Sequence, residues 1–86
     1  MIQVQGIIVP VAWDENGNVS QVGIETFDEN FYQIDPTFDL AQAKVLLRES
    51  VEIFGIVLKR PGKKLIRVHR ISRIQKEKRS ESRVEI

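Results

Sequence analysis

The segment VEIFGIVLKRPGKKLIRVHRI, residues 51–71, decides the fold, because it places two apolar runs on either side of a proline–glycine pair. Residues 51–60 alternate between two faces, as the side chains of a β-strand do. One face carries Val51, Ile53, Gly55 and Val57, and the other carries Phe54, Ile56 and Leu58. Pro61 and Gly62 suit the centre of a tight turn, because proline presets φ and glycine tolerates a positive φ. The segment therefore predicts a hairpin of two strands, residues 51–60 and 65–74.

Three further predicted strands precede this hairpin, at residues 2–13, 19–27 and 31–34, and the first is rich in β-branched residues. Asn16 and Gly17 lie between the first two strands and favour a hairpin turn. Gly6 indicates a bulge or a tight bend within the first strand. Pro10 has no backbone N–H, so we expect it at a sheet edge or a bulge. The alternation along the strands predicts one core formed by Val22, Ile24, Ile53, Val57, Ile66 and Val68.

One helix interrupts the β pattern between the third and fourth strands. Its apolar residues recur at helical spacing and are Leu40, Ala43, Leu46 and Leu47. Asp39 or Thr37 is suited to the N-cap, since a short oxygen-bearing side chain accepts hydrogen bonds from the first free amides. We therefore predict a helix over residues 40–47.

The order strand–strand–strand–helix–strand–strand resembles the oligonucleotide/oligosaccharide-binding (OB) fold. The glycine in the first strand and the segment VEIFGIV, residues 51–57, belong to the same resemblance. The chain is similar in particular to small stand-alone bacterial OB-like domains of uncharacterised function. The resemblance implies a mainly β, five-stranded barrel over residues 1–74. In such barrels the second and third strands, with the loops joining strands one to two and four to five, often bind ligands.

Length and composition indicate one small domain followed by a charged tail. The chain has 86 residues and no cysteine, which excludes disulfides, thiol catalysis and cysteine-ligated metals. Residues 75–83 carry no apolar side chain, so we predict that the tail, residues 75–86, is disordered. The first residues do not have the pattern of a signal peptide, and no apolar stretch is long enough to span a bilayer. We therefore expect a cytoplasmic protein with no membrane partner.

The sequence shows no arrangement of residues suited to catalysis. Most carboxylates stand in turns, where they usually cap backbone amides. His69 is the one histidine, and it stands among basic residues on the fifth strand, which favours a surface position over a general base. No metal-ligand spacing and no glycine-rich phosphate loop is present. We therefore predict a protein that is not an enzyme and binds no metal or cofactor.

The charges are divided along the chain. Residues 1–50 hold two basic and eight acidic side chains, whereas residues 51–86 hold eleven basic and four acidic ones. The candidate nucleic-acid site comprises Lys59, Arg60, Lys63, Lys64 and Arg67, with Phe31 and Tyr32 as a stacking surface. Such cations neutralise phosphates, and such rings stack on bases. Glu25, Asp28 and Glu29 lie on or beside the same expected face and would repel phosphate.

Association with another protein or a second copy is the function that the sequence favours over single-stranded nucleic-acid binding. A barrel has one interior, so the apolar residues on the other strand faces point outward. If the outward sets join, they form a patch of the kind that marks an interface. The expected interface residues are Trp13, Phe54, Ile56 and Leu58, with the aromatic pair as its anchors.

Overall fold

The computed structural model describes residues 1–74 and contains five strands and one short helix. The elements are β1 (Ile2–Trp13), β2 (Val19–Thr26), β3 (Phe31–Ile34), α1 (Leu40–Val45), β4 (Ser50–Arg60) and β5 (Lys63–Arg73). The predicted order of elements is therefore confirmed. The prediction of a disordered tail lies outside the described residues.

The five strands form one sheet that closes on itself in the order β1-β2-β3-β5-β4, with β4 pairing back to β1. Every neighbouring pair is antiparallel except β3 and β5, which run parallel through the pairs Gln33–Leu65 and Ile34–Ile66. Closure pairs the strand edges, which in an open sheet would present free backbone groups.

β1 is long enough to join two neighbours, because its first half pairs with β4 and its second half with β2. Gly6 belongs to both pairings, opposite Val51 and Thr26. A Cβ atom at Gly6 would lie 2.2 Å from the carbonyl oxygen of Glu25, so only glycine fits at this close approach. The register shifts between Pro10 and Ala12, so Pro10 stands beside an irregularity of the β1–β2 pairing, which fits one of the two positions expected for it.

The core is a single cluster of aliphatic side chains inside the ring. Its buried members are Ile8, Val22, Ile24, Ile34, Ala43, Val51, Ile53 and Ile66. Four of the six predicted core residues belong to it, and Val68 packs against it half-buried. Val57 is a correction: it is half-buried and lies outside the cluster. It stands in the second half of β4, close to the end of the strand where Lys59 and Arg60 are exposed.

The helix begins where the sequence predicts and ends two residues earlier. Asp39 is its N-cap, and the carboxylate accepts a hydrogen bond of 3.1 Å from the backbone N–H of Ala41. After Val45 the chain reaches Arg48 in the left-handed region, with φ 68°. The N–H of Arg48 then donates to the carbonyl of Ile8 on β1, at 2.8 Å. This tertiary bond ends the helix, although the apolar spacing continues to Leu47. No helix among residues 1–74 has the length and apolar character needed to cross a membrane.

A buried carboxylate, Asp35, fixes the exit from β3. It accepts hydrogen bonds from the backbone N–H of Thr37 at 3.2 Å and from the Thr37 hydroxyl at 2.6 Å. The Nε atom of Arg67 on β5 lies 3.8 Å from the same carboxylate oxygen. The Thr37 hydroxyl, with smaller contributions from the Thr37 backbone N–H and Arg67, lowers the pKa of Asp35 below its ordinary value of 3.8, although burial opposes this.

Thr37→Val is expected to lower the free energy of unfolding by about 1 to 2 kcal/mol at neutral pH, because it removes a donor to a charged group. A carboxyl whose pKa is lowered by folding stabilises the protein above its unfolded pKa, and this contribution disappears as the pH falls through the folded pKa. Urea unfolding at neutral pH and at about pH 2 measures the difference. An equal loss at both pH values would contradict the assigned role of the hydroxyl.

Candidate functional site

The β4–β5 hairpin concentrates the positive charge of the described chain. Its turn consists of Pro61 and Gly62, and Gly62 adopts a φ of 77°, as the glycine position of a proline–glycine turn requires. The strands pair up to this turn, through Arg60–Lys63 and Lys59–Lys64. The two cationic pairs, Lys59–Arg60 and Lys63–Lys64, are therefore held opposite each other on a regular two-stranded frame.

Phe31 on β3 lies beside this hairpin. Together they line an open cleft of about 620 Å³, here called the basic cleft, whose lining residues are Phe31, Lys59, Arg60, Gly62, Lys63 and Lys64. The Phe31 ring packs against Gly23 of β2, because a Cβ atom at Gly23 would lie 2.5 Å from the ring. Even so, 42% of the Phe31 surface is exposed. The cleft thus combines an anchored, exposed ring with several cations.

The predicted cations differ in how free they are. Among residues 1–74, Lys59, Arg60 and Lys63 are exposed and form no ion pair, and Arg60 donates a hydrogen bond of 3.1 Å to the backbone carbonyl of Lys59. Lys64 is half-buried, with Nζ 4.8 Å from the centroid of the Tyr32 ring. Arg67 is held by Asp35. Lys59 and Lys63 are therefore the cations most available to a ligand.

Phe31 and Tyr32 do not form one stacking surface. They are neighbours on β3, so their side chains point to opposite faces of the strand. Tyr32 is half-buried and packs against the core, whereas Phe31 faces the cleft. The structure therefore brings Phe31, and not Tyr32, into the candidate site.

Two of the three acidic residues, Glu25 and Glu29, lie beside Phe31 and outside the basic cleft. Glu25 is the direct partner of Phe31 in the β2–β3 pairing, and Glu29 stands in the turn that joins these strands. Asp28 accepts hydrogen bonds from the Thr26 hydroxyl and the Asn30 amide, and these bonds lower its pKa. Acidic and basic groups are thus close together, as expected from the sequence, and Phe31 lies between Glu25 and Glu29 on one side and the cations of the hairpin on the other.

The predicted apolar interface falls into separate parts. Phe54, Ile56 and Leu58 share one face of β4, and the guanidinium of Arg70 lies 4.7 Å from the centroid of the Phe54 ring. Trp13 lies at the far end of β1, opposite Val19.

Polar groups occupy the surface where the first half of β1 meets β4. The amides of Gln3 and Gln5 on β1 both donate to the carboxylate of Glu52 on β4. The apolar residues of β4 therefore do not join Trp13 in one patch, and the interface of Trp13, Phe54, Ile56 and Leu58 stays a prediction.

Sequence reasoning missed two features of the site. The first is the support that Gly23 gives to Phe31; a glycine on the outward face of a strand, near an aromatic residue of the next strand, is the signal for it. The second is the ion pair between Asp35 and Arg67, which joins residues distant in the sequence. His69 is exposed, and no group of three or more acidic or histidine side chains among residues 1–74 is arranged to hold a metal ion.

Comparison with known proteins finds no matching family model, no significantly similar curated protein and no significantly similar solved structure. The functional argument therefore depends on the chemistry of the basic cleft and its surroundings.

Proposed function

We propose that this chain is a non-enzymatic binding module of the OB type whose ligand is single-stranded nucleic acid. The strand order β1-β2-β3-β5-β4, with the helix between β3 and β4, supports the assignment to the OB type. The position of the basic cleft supports the choice of ligand site. It lies between β3 and the β4–β5 turn, and OB barrels commonly bind ligands on these elements.

One observation carries the proposal: an exposed aromatic ring shares a cleft with several cations. Any of the nucleobases stacks on such a ring, because every base has a flat π face. Cations beside the ring neutralise the phosphates that flank the stacked base. Phe31 supplies the ring, and Lys59, Arg60 and Lys63 supply exposed positive charge. This combination favours a flexible single strand, whose bases are free to turn toward the ring.

The acidic residues limit the path of such a ligand. Glu25 and Glu29 flank Phe31 on the side away from the hairpin, so a phosphate chain passing there would meet like charge. On the proposed path the strand follows the β4–β5 hairpin and places one base on Phe31. Only a few nucleotides of the strand therefore contact the protein.

Association through the outward apolar faces is the second candidate. It is supported by the exposure of Ile56, at 46%, and of Trp13, at 56%. We rank it below nucleic-acid binding because these residues lie on separate parts of the surface, whereas the ring and cations of the basic cleft lie together.

Phe31→Leu is expected to weaken binding of a labelled oligothymidylate of about 12 nucleotides by about 5- to 150-fold, which corresponds to the loss of one stacked base. Leucine removes the ring but keeps an apolar side chain over Gly23. Fluorescence anisotropy of the labelled oligonucleotide measures the affinity. Phe54→Leu is the matched control, because Phe54 is a ring on β4 outside the basic cleft. Equal weakening by both substitutions, or unchanged affinity in Phe31→Leu, would contradict the proposed site.

A further inference from the structure

A second open cleft, of about 460 Å³, adjoins the basic cleft. Ile7, Glu25, Phe27, Glu29 and Phe31 are among its lining residues, and it is here called the acidic cleft. Phe31 lines both clefts, so its ring forms the boundary between them. The two clefts and the ring together make one surface, here called the Phe31 surface.

The two halves of the Phe31 surface carry opposite charge. Glu25 and Glu29 are exposed in the acidic half, and neither forms an ion pair with any other residue among 1–74. Arg60 and Lys63 are exposed in the basic half, and neither forms an ion pair with any other residue among 1–74. Apolar area accompanies the charge, because Phe27 is 47% exposed and Phe31 is 42% exposed.

A surface with this arrangement is complementary to itself. In a two-fold dimer the same patch of both copies forms the interface. A two-fold axis near Phe31 would set the acidic half of each copy against the basic half of the other, with the two rings in contact at the centre. We propose that the occupant of the Phe31 surface is a second copy of this chain, docked in this two-fold manner.

The charges make the stability of such a dimer depend on salt concentration and on competing polyanions. Ion pairs across an exposed interface weaken as salt screens them, so we expect a dimer favoured at low ionic strength. The dimer covers the basic cleft, so a second copy and a polyanion compete for it. The dimer itself needs no nucleic acid, and its test is independent of the function proposed above.

Complementary charge reversal tests the dimer. One variant is Glu25→Lys with Glu29→Lys, and the other is Arg60→Glu with Lys63→Glu. Each variant alone sets like charges against each other at both contacts and is expected to be monomeric, by light scattering at about 0.1 M salt. An equal mixture restores opposite charge at both contacts and is expected to form a one-to-one dimer. Trp13→Ala is the control, and it should remain dimeric because Trp13 lies outside the Phe31 surface.

The measurement contains no oligonucleotide, so a failure of nucleic-acid binding does not affect it. Circular dichroism establishes that each variant is folded, and Glu25→Gln with Glu29→Gln supplies a milder version of the acidic change. A wild-type protein that is monomeric at low salt and high concentration would overturn the proposal. So would a dimer that survives both charge reversals, or a mixture of the two variants that stays monomeric.

Discussion

Replacing Ile53 with alanine is expected to lower the free energy of unfolding by about 2–5 kcal/mol, the usual cost of removing a large buried aliphatic side chain. Ile53 is fully buried in β4, between Val4 of β1 and Ile71 of β5. The substitution removes apolar contacts and leaves a cavity where two strand pairings meet, and the regular strands on both sides limit how far the core collapses into it. Denaturant unfolding followed by circular dichroism measures the loss.

Ile56→Ala is the matched control, because it makes the same change on the same strand at a side chain that is 46% exposed. We expect it to cost less than about 1 kcal/mol. A chain of this size has little stability to lose, so Ile53→Val, with an expected cost of about 0.5–1.5 kcal/mol, provides a measurable step if the alanine variant does not fold. Equal losses at Ile53 and Ile56 would contradict the assignment of the inward face of β4.

Local chemistry accounts for the parts of the fold that the sequence predicts well. Each of the turns at Asn16–Gly17 and Pro61–Gly62 contains a glycine that accepts a positive φ, and Gly17 and Gly62 do adopt one. The helix start follows from a single capping carboxylate, that of Asp39. Each of these features depends on neighbours in the sequence, so a short window contains the information.

Long-range pairings account for what the sequence predicts poorly. The helix ends early because Arg48 bonds to Ile8, which lies forty residues before it in the sequence. The parallel pairing of β3 and β5 and the return of β4 to β1 also join segments that are far apart in the sequence. No local pattern encodes these pairings, although the resemblance to a known order of elements makes a closed sheet an expected result.

The candidate site was predictable in its composition and less so in its arrangement. The basic hairpin follows directly from the residues around Pro61 and Gly62. Phe31 and Tyr32 lie on opposite faces because successive side chains of a strand alternate. The prediction of a shared stacking surface did not take this alternation into account. Trp13 and Phe54 are far apart because β1 is long. Phe54 pairs with Gln3 near the start of β1, whereas Trp13 stands at its end, opposite Val19 of β2. Only the structure shows that Phe31 stands between an acidic and a basic half.

The salt dependence of oligonucleotide binding tests the central claim most directly. Each phosphate neutralised on a single strand contributes about −0.7 to the slope of log K against log salt. Lys59→Ala with Lys63→Ala removes two exposed cations of the basic cleft, so we expect the slope to flatten by about 1.4 and the affinity to fall. Lys44→Ala, an exposed lysine on α1, is the control and should leave the slope unchanged. A wild-type protein that does not bind the oligonucleotide, or a double variant with the wild-type slope, would contradict the account.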